Sequence, residues 1–118
     1  MKRYAARRDK HEPEIIAALC AAGAVVQQQD PPQPDLLTSF RGVLEQLEVK
    51  DRDRSHGDTG LPHRGKGNTL DGRMAWLTPA QVEWWSWWIE AGGRPPIIVL
   101  DEAEALAAIG AVSARAAG

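Results

Sequence analysis

The sequence predicts an α/β domain, a central mixed sheet of about four strands flanked by helices in the order α-β-β-β-α-β-α. Three observations predict it. Apolar residues recur at helical spacing between residues 9 and 22. Two extended runs, Leu36 to Phe40 and Val43 to Lys50, are separated only by Arg41-Gly42. A well-capped helix from Thr78 is followed by the continuous apolar run Ile97-Ile98-Val99-Leu100 and then by a helix-opening Asp101.

Each element has a local reason. In the first helix, His11, Ile15, Ala18, Leu19 and Ala22 fall on one face, Pro13 is tolerated in the first turn, and Gly23 is placed to end the helix. Ala24 to Gln27 is a short strand, and residues 27–34 form a polar loop broken by Pro31-Pro32. Arg41-Gly42 suits a compact hairpin turn between the second and third strands. Thr78, Pro79 and Gln81 occupy the N-cap, first and third positions of a capping box, and the helix stops at Gly92-Gly93. The run 97–100 has the composition of a strand covered on both faces. Asp101 caps the last helix, which reaches about Ile109 with Ala105, Leu106 and Ile109 inward.

At 118 residues the chain has the size of one domain, and 43% hydrophobic with 25% charged residues is a globular composition. Its organisation reads as a basic arm over residues 1–10, a domain over 11–110 carrying a long glycine-rich loop at 51–76, and a tail at 111–118. No apolar run is long enough to span a membrane, and the N-terminus lacks the apolar segment of a secretory signal. A single cysteine, Cys20, excludes an internal disulfide; it is expected to be a buried thiol in a reducing cytoplasm. The net charge of -2 gives no general support for nucleic-acid binding, but cations are concentrated locally. Lys2, Arg3, Arg7, Arg8 and Lys10 crowd the arm, and Arg52, Arg54, Arg64, Lys66 and Arg73 follow Lys50.

The chemistry concentrates in the third strand. Alternation places Leu44, Gln46, Glu48 and Lys50 on one side, with Glu48 and Lys50 about 7 Å apart. Asp35 begins the adjoining strand, and the hairpin can bring it level with Glu48. Two carboxylates converging from neighbouring strands form a hard oxygen site of the kind Mg²⁺ prefers, and a lysine beside them can face a phosphate or position a water. Taken alone, Glu48 and Lys50 read more readily as an ordinary pair on a solvated strand, with Asp35 a turn residue after Pro34, because Glu-x-Lys is a common triplet.

Pro34-Asp35, followed thirteen residues later by Glu48-Val49-Lys50, resembles the signature of the PD-(D/E)XK nuclease superfamily. Further features are similar to its VRR-NUC and Holliday-junction-resolvase-like branch: Glu14 on the opening helix, Leu77-Thr78-Pro79-Ala80-Gln81 at the start of the next, and the ending Ile97 to Ala103. The resemblance covers about residues 9–110. It implies a restriction-endonuclease-like core and a Mg²⁺-dependent endodeoxyribonuclease, with Mn²⁺ a possible substitute, acting on branched or junction DNA in a bacterial or phage-encoded cytoplasmic setting. It implies Asp35, Glu48, the Val49 carbonyl and Glu14 as metal ligands, Lys50 as the group orienting or deprotonating the attacking water, and Gln81 beside the metal shell or the phosphate. The basic arm and loop would contact DNA.

Other signals weigh less. His11, His56, His63 and Cys20 lack zinc spacing, and Gly65-Lys66-Gly67 lacks the P-loop frame. No organic cofactor is expected. Trp84, Trp85 and Trp88 share an arc of the second helix with Gln81, while Trp87 lies at its margin. Most of this arc is expected in the core, but Trp84, Trp87 and Trp88 are candidates for a homodimer interface. The rival functions are a non-catalytic nucleic-acid or partner-binding module retaining the fold, and a dimeric scaffold built on the tryptophan helix.

Overall fold

The computed structural model describes residues 11–50, 73–74 and 76–111. The arm, most of the long loop and most of the tail therefore lie outside the described residues. Helix α1, Glu12–Ala21, starts with a proline in its first turn, as the missing amide donor of Pro13 requires. It buries Glu12, Ile15 and Leu19, a spacing of three and four residues. His11, expected on the inward face, is exposed, and so is Cys20, because the buried stripe is centred on Ile15 and Leu19.

Strands β1 (Val25–Gln28), β2 (Leu36–Phe40) and β3 (Val43–Val49) form an antiparallel meander. Between β2 and β3, Arg41 and Gly42 both have positive φ, 52° and 82°, the backbone that matches a two-residue turn to the twist of the flanking strands. Helix α2 (Pro79–Glu90) follows, and β4 (Ile97–Val99) then pairs parallel with β3. A parallel neighbour needs such a crossover. Helix α3, Glu102–Ala108, closes the order, capped by the Asp101 carboxylate, which accepts from the Glu104 amide at 2.9 Å. The sheet order is β1-β2-β3-β4, a four-stranded mixed sheet with three helices.

The registers Leu36↔Leu47 and Leu47↔Ile97 sort the side chains onto two faces. One face, with Leu36, Phe40, Leu47, Val49 and Val99, packs against Ile15 and Leu19 of α1, Ala105 of α3 and Ile109 at the end of that helix. On the other, Ile98 packs with Leu77, which precedes α2, and with Trp85 of α2. Strand β3 is consequently buried from Glu45 to Val49, so its polar residues at 45, 46 and 48 lie inside the protein. Among the described residues no helix is long and apolar enough to cross a membrane.

Gly42 has open space where a Cβ would stand, so only its backbone conformation resists a side chain. Gly42→Ala is expected to destabilise the fold by about 1–2 kcal/mol, read as a lower urea midpoint with an unchanged slope.

Candidate active site

Because Leu36 pairs with Leu47, extending the register by one residue sets Asp35 across from Glu48. Asp35 is held by the backbone: its Oδ2 accepts from the Val49 amide at 2.8 Å, and its carbonyl accepts from the Gln29 amide at 2.8 Å. Gln29 also donates from Nε2 to the Pro34 carbonyl at 2.9 Å and to Gln46 Oε1 at 2.8 Å, tying the Pro34-Asp35 corner to β3. Asp35 thus sits at the end of β2 with its carboxylate turned toward β3.

Glu48 is 2% exposed and faces helix α2. Its Oε2 accepts from Gln81 Nε2 at 2.9 Å and lies 3.4 Å from Lys50 Nζ. Lys50 also reaches Gln81 Oε1 at 3.4 Å. Gln81 takes this place through the helix start: its backbone amide donates to Thr78 Oγ1 at 3.2 Å, while its Oε1 accepts from the Thr78 amide at 2.9 Å. The capping box thereby aims the remaining amide group of Gln81 at Glu48. Burial of Glu48 and Lys50, whose side chains are 3% and 11% exposed, excludes the solvated-pair alternative.

The electrostatics of this arrangement are unbalanced. Glu48 Oε1 is buried and has no hydrogen-bond partner. Desolvation first, and then the Asp35 charge, push the Glu48 carboxyl up from 4.5 to about 8, against the smaller opposing effects of Lys50 and Gln81. A buried carboxyl beside a second carboxylate, with one oxygen unpartnered, has donor chemistry suited to a cation. The donor set fits Mg²⁺ or Mn²⁺, which need only one or two carboxylates when they keep several waters. No larger group of three or more metal-capable side chains forms among the described residues.

The sequence-predicted residues divide into those this centre gathers and those it does not. Asp35, Glu48, Lys50 and Gln81 meet, with Val49 supplying the amide that holds Asp35. Glu14 is not among them: its side chain is 66% exposed and lies 3.9 Å from His11. Position 14 falls outside the inward stripe at 12, 15 and 19, and the acid that α1 buries is Glu12, whose Oε2 accepts from Gln28 Nε2 at 3.0 Å. Gln28 pairs with Leu36, the residue after Asp35, on the sheet face that α1 covers. The three-residue spacing to Ile15 was the available signal for Glu12. Gln29 was hidden in a run of glutamines that read as loop.

Arg73, expected to face DNA, is engaged in the fold. Its guanidinium binds the Glu104 carboxylate through two bonds, 2.6 and 2.9 Å, and the Ile98 carbonyl at 3.2 Å. Lys2, Arg3, Arg7, Arg8, Lys10, Arg52, Arg54, Arg64 and Lys66, with His56 and His63, lie outside the described residues. Of the tryptophans, Trp85 is buried, Trp87 is 61% exposed, and Trp84 stacks on Trp88 with ring centroids 5.1 Å apart. Compared with known proteins, the chain matches no family model, no curated protein and no solved structure.

The raised Glu48 carboxyl gives folding a defined pH dependence. Between 4.5 and about 8 the folded state holds a proton that the unfolded chain releases, so stability is greatest below that window and falls as pH rises through it. In EDTA, urea midpoints of the wild type are expected to decline from about pH 5 to 8, and Glu48→Gln is expected to flatten that decline. Equal slopes in the two proteins would refute the assignment to Glu48.

Proposed function

We propose that this chain is a Mg²⁺-dependent endodeoxyribonuclease of the PD-(D/E)XK type, hydrolysing phosphodiester bonds in branched or junction DNA. The observation that carries the reading is the unpartnered Oε1 of buried Glu48, whose other oxygen lies 3.4 Å from Lys50 and whose ionisation the Asp35 charge opposes. Burying such an oxygen without a partner is costly, and a divalent cation is the partner that also relieves the repulsion from Asp35. The hairpin register supports the same reading, since with Leu36 paired to Leu47 the preceding Asp35 falls across from Glu48.

Asp35 and Glu48 would hold the ion, which supplies polarisation of the phosphate and activation of water when bound. The Val49 amide keeps Asp35 oriented, and the Gln81 amide keeps Glu48 from rotating. Lys50 carries its ammonium to the rim of the pair. There it can orient the attacking water and offset charge accumulating on the phosphoryl oxygens. In the reaction the water oxygen forms a bond to phosphorus, one bridging P–O bond breaks, and the departing sugar oxygen takes a proton. Neither acid of α1 contributes to this set: Glu14 is exposed beside His11, and Glu12 is bonded to Gln28.

Supercoiled plasmid and a four-way junction incubated with Mg²⁺ or Mn²⁺ are expected to be cut. Asp35→Ala and Lys50→Ala should each lower the rate by at least about 10²-fold, and Gln81→Ala by about tenfold. Tight binding without cutting would instead identify a non-catalytic module.

Calorimetry offers a separate check. Because Glu48 is held protonated near neutrality by its surroundings, ion uptake at pH 7 should release about one proton, visible as a dependence of heat on buffer ionisation enthalpy. Glu48→Gln should abolish that release. An absence of Mg²⁺ and Mn²⁺ uptake by the wild type would end the proposal.

A further inference from the structure

On the sheet face that carries Glu48, an open groove of about 340 Å³ lies alongside the candidate centre. Leu37 and Gln46 are register partners there, and Leu44 stands two residues before Gln46 on β3. Gln46 is also two residues before Glu48, a separation of about 7 Å on one strand face. The opposite wall is the stacked pair Trp84 and Trp88, with rings inclined by only 14°. That wall is fixed in place. Trp88 Nε1 donates to the Arg94 carbonyl at 2.8 Å, and a Cβ on Gly93 would stand 2.3 Å from the same nitrogen, so the chain passes the indole as closely as glycine allows.

The groove also carries polar groups suited to a ligand edge. Gln46 is buried, and its Oε1 is committed to Gln29 at 2.8 Å, which orients the amide. Its Nε2 has no partner among the described residues. Arg94, at the mouth, directs Nη2 and Nε to Glu45 at 2.5 and 3.4 Å, leaving Nη1 available. An apolar peptide side chain in the groove would bury the Gln46 amide without a partner, at a cost. A flat heteroaromatic ring with acceptors on its edge satisfies both the indole wall and the amide. The volume is near the lower end of small-ligand pockets, roughly 300–1,000 Å³.

We propose that this groove is a nucleobase pocket, holding one unpaired base of the strand whose phosphate lies at Asp35, Glu48 and Lys50. The base packs against the Trp84–Trp88 wall and accepts from the Gln46 amide, with Arg94 at the pocket mouth facing the strand. The inference rests on the nuclease reading and sharpens it: the preferred substrate contains unpaired nucleotides at the scissile position, because extracting a base from an intact duplex costs unstacking and unpairing. Stacking is tolerant of base identity, so little sequence preference is expected from the wall itself.

The test measures binding apart from cutting. Fluorescence anisotropy in EDTA compares a labelled 12-residue thymidine oligonucleotide with an abasic oligonucleotide of the same length and charge. The thymidine strand is expected to bind at least about tenfold more tightly, and Trp84→Leu to remove most of that difference. Gln46→Leu, which keeps the side chain's approximate size, should reduce the ratio of thymidine-strand to abasic-strand affinity about threefold. Base-dependent binding without Mg²⁺-dependent cutting of junction DNA would keep the pocket and overturn the nuclease reading. Cutting accompanied by equal affinity for the two oligonucleotides would overturn the pocket and keep the nuclease. A Trp84→Leu protein that changes from dimer to monomer in sedimentation, with base selectivity intact, would assign the groove to a second copy of the chain and also overturn the pocket.

Discussion

The carboxylate of Glu48, buried between β3 and α2 with one oxygen unpartnered, is the constraint around which this structure is arranged. A glutamate at the centre of a sheet covered on both faces loses its hydration, and desolvation dominates its raised pKa. The protein meets that cost only in part. Gln81 donates one hydrogen bond and Lys50 brings a positive charge to 3.4 Å, while Asp35 adds repulsion. A fold selected for stability alone would place an apolar residue at this position, since a partly satisfied polar site is worse than an apolar core.

Backbone structure supplies much of the positioning. Asp35 is oriented by a main-chain amide of the neighbouring strand, and Gln81 by the capping interactions of the helix it begins. These supports come from regular elements rather than from a loop, and such placement limits side-chain drift. Gln29 adds a further restraint by gripping the Pro34 carbonyl and Gln46 together. Through Gln46 it links the Asp35 corner to the groove beneath the stacked tryptophans. The candidate centre and the proposed base pocket therefore share one strand, one sheet face and one positioning residue.

The crossover has a second consequence. By bringing α2 over the sheet between β3 and β4, it lays the arc containing Gln81, Trp84, Trp85 and Trp88 along the β3 face. Successive turns of that helix then serve different purposes. Gln81 meets Glu48, Trp85 fills the core with Ile98, and Trp84 with Trp88 borders the open groove. Trp87 remains outside this arrangement, exposed on the far side of the helix.

The element order, the hairpin at Arg41-Gly42, the capping of α2 and α3 and the pairing of Asp35 with Glu48 were legible in the sequence, because each depends on local backbone preference or strand alternation. The inward acid of the first helix was less legible. Glu12 and Glu14 both lie in its first turn, and only packing against the sheet buries the former and leaves the latter beside His11. Arg73 likewise read as a cation for phosphates until Glu104, thirty-one residues away, occupied its guanidinium. The sequence by itself determined which residues form the strands and helices and which chemical groups alternate along them, since those follow from interactions a few residues apart. Only the tertiary structure decided how dry Glu48 is, which oxygen lacks a partner and where the tryptophan wall stands, because desolvation and contact depend on segments brought together from distant parts of the chain.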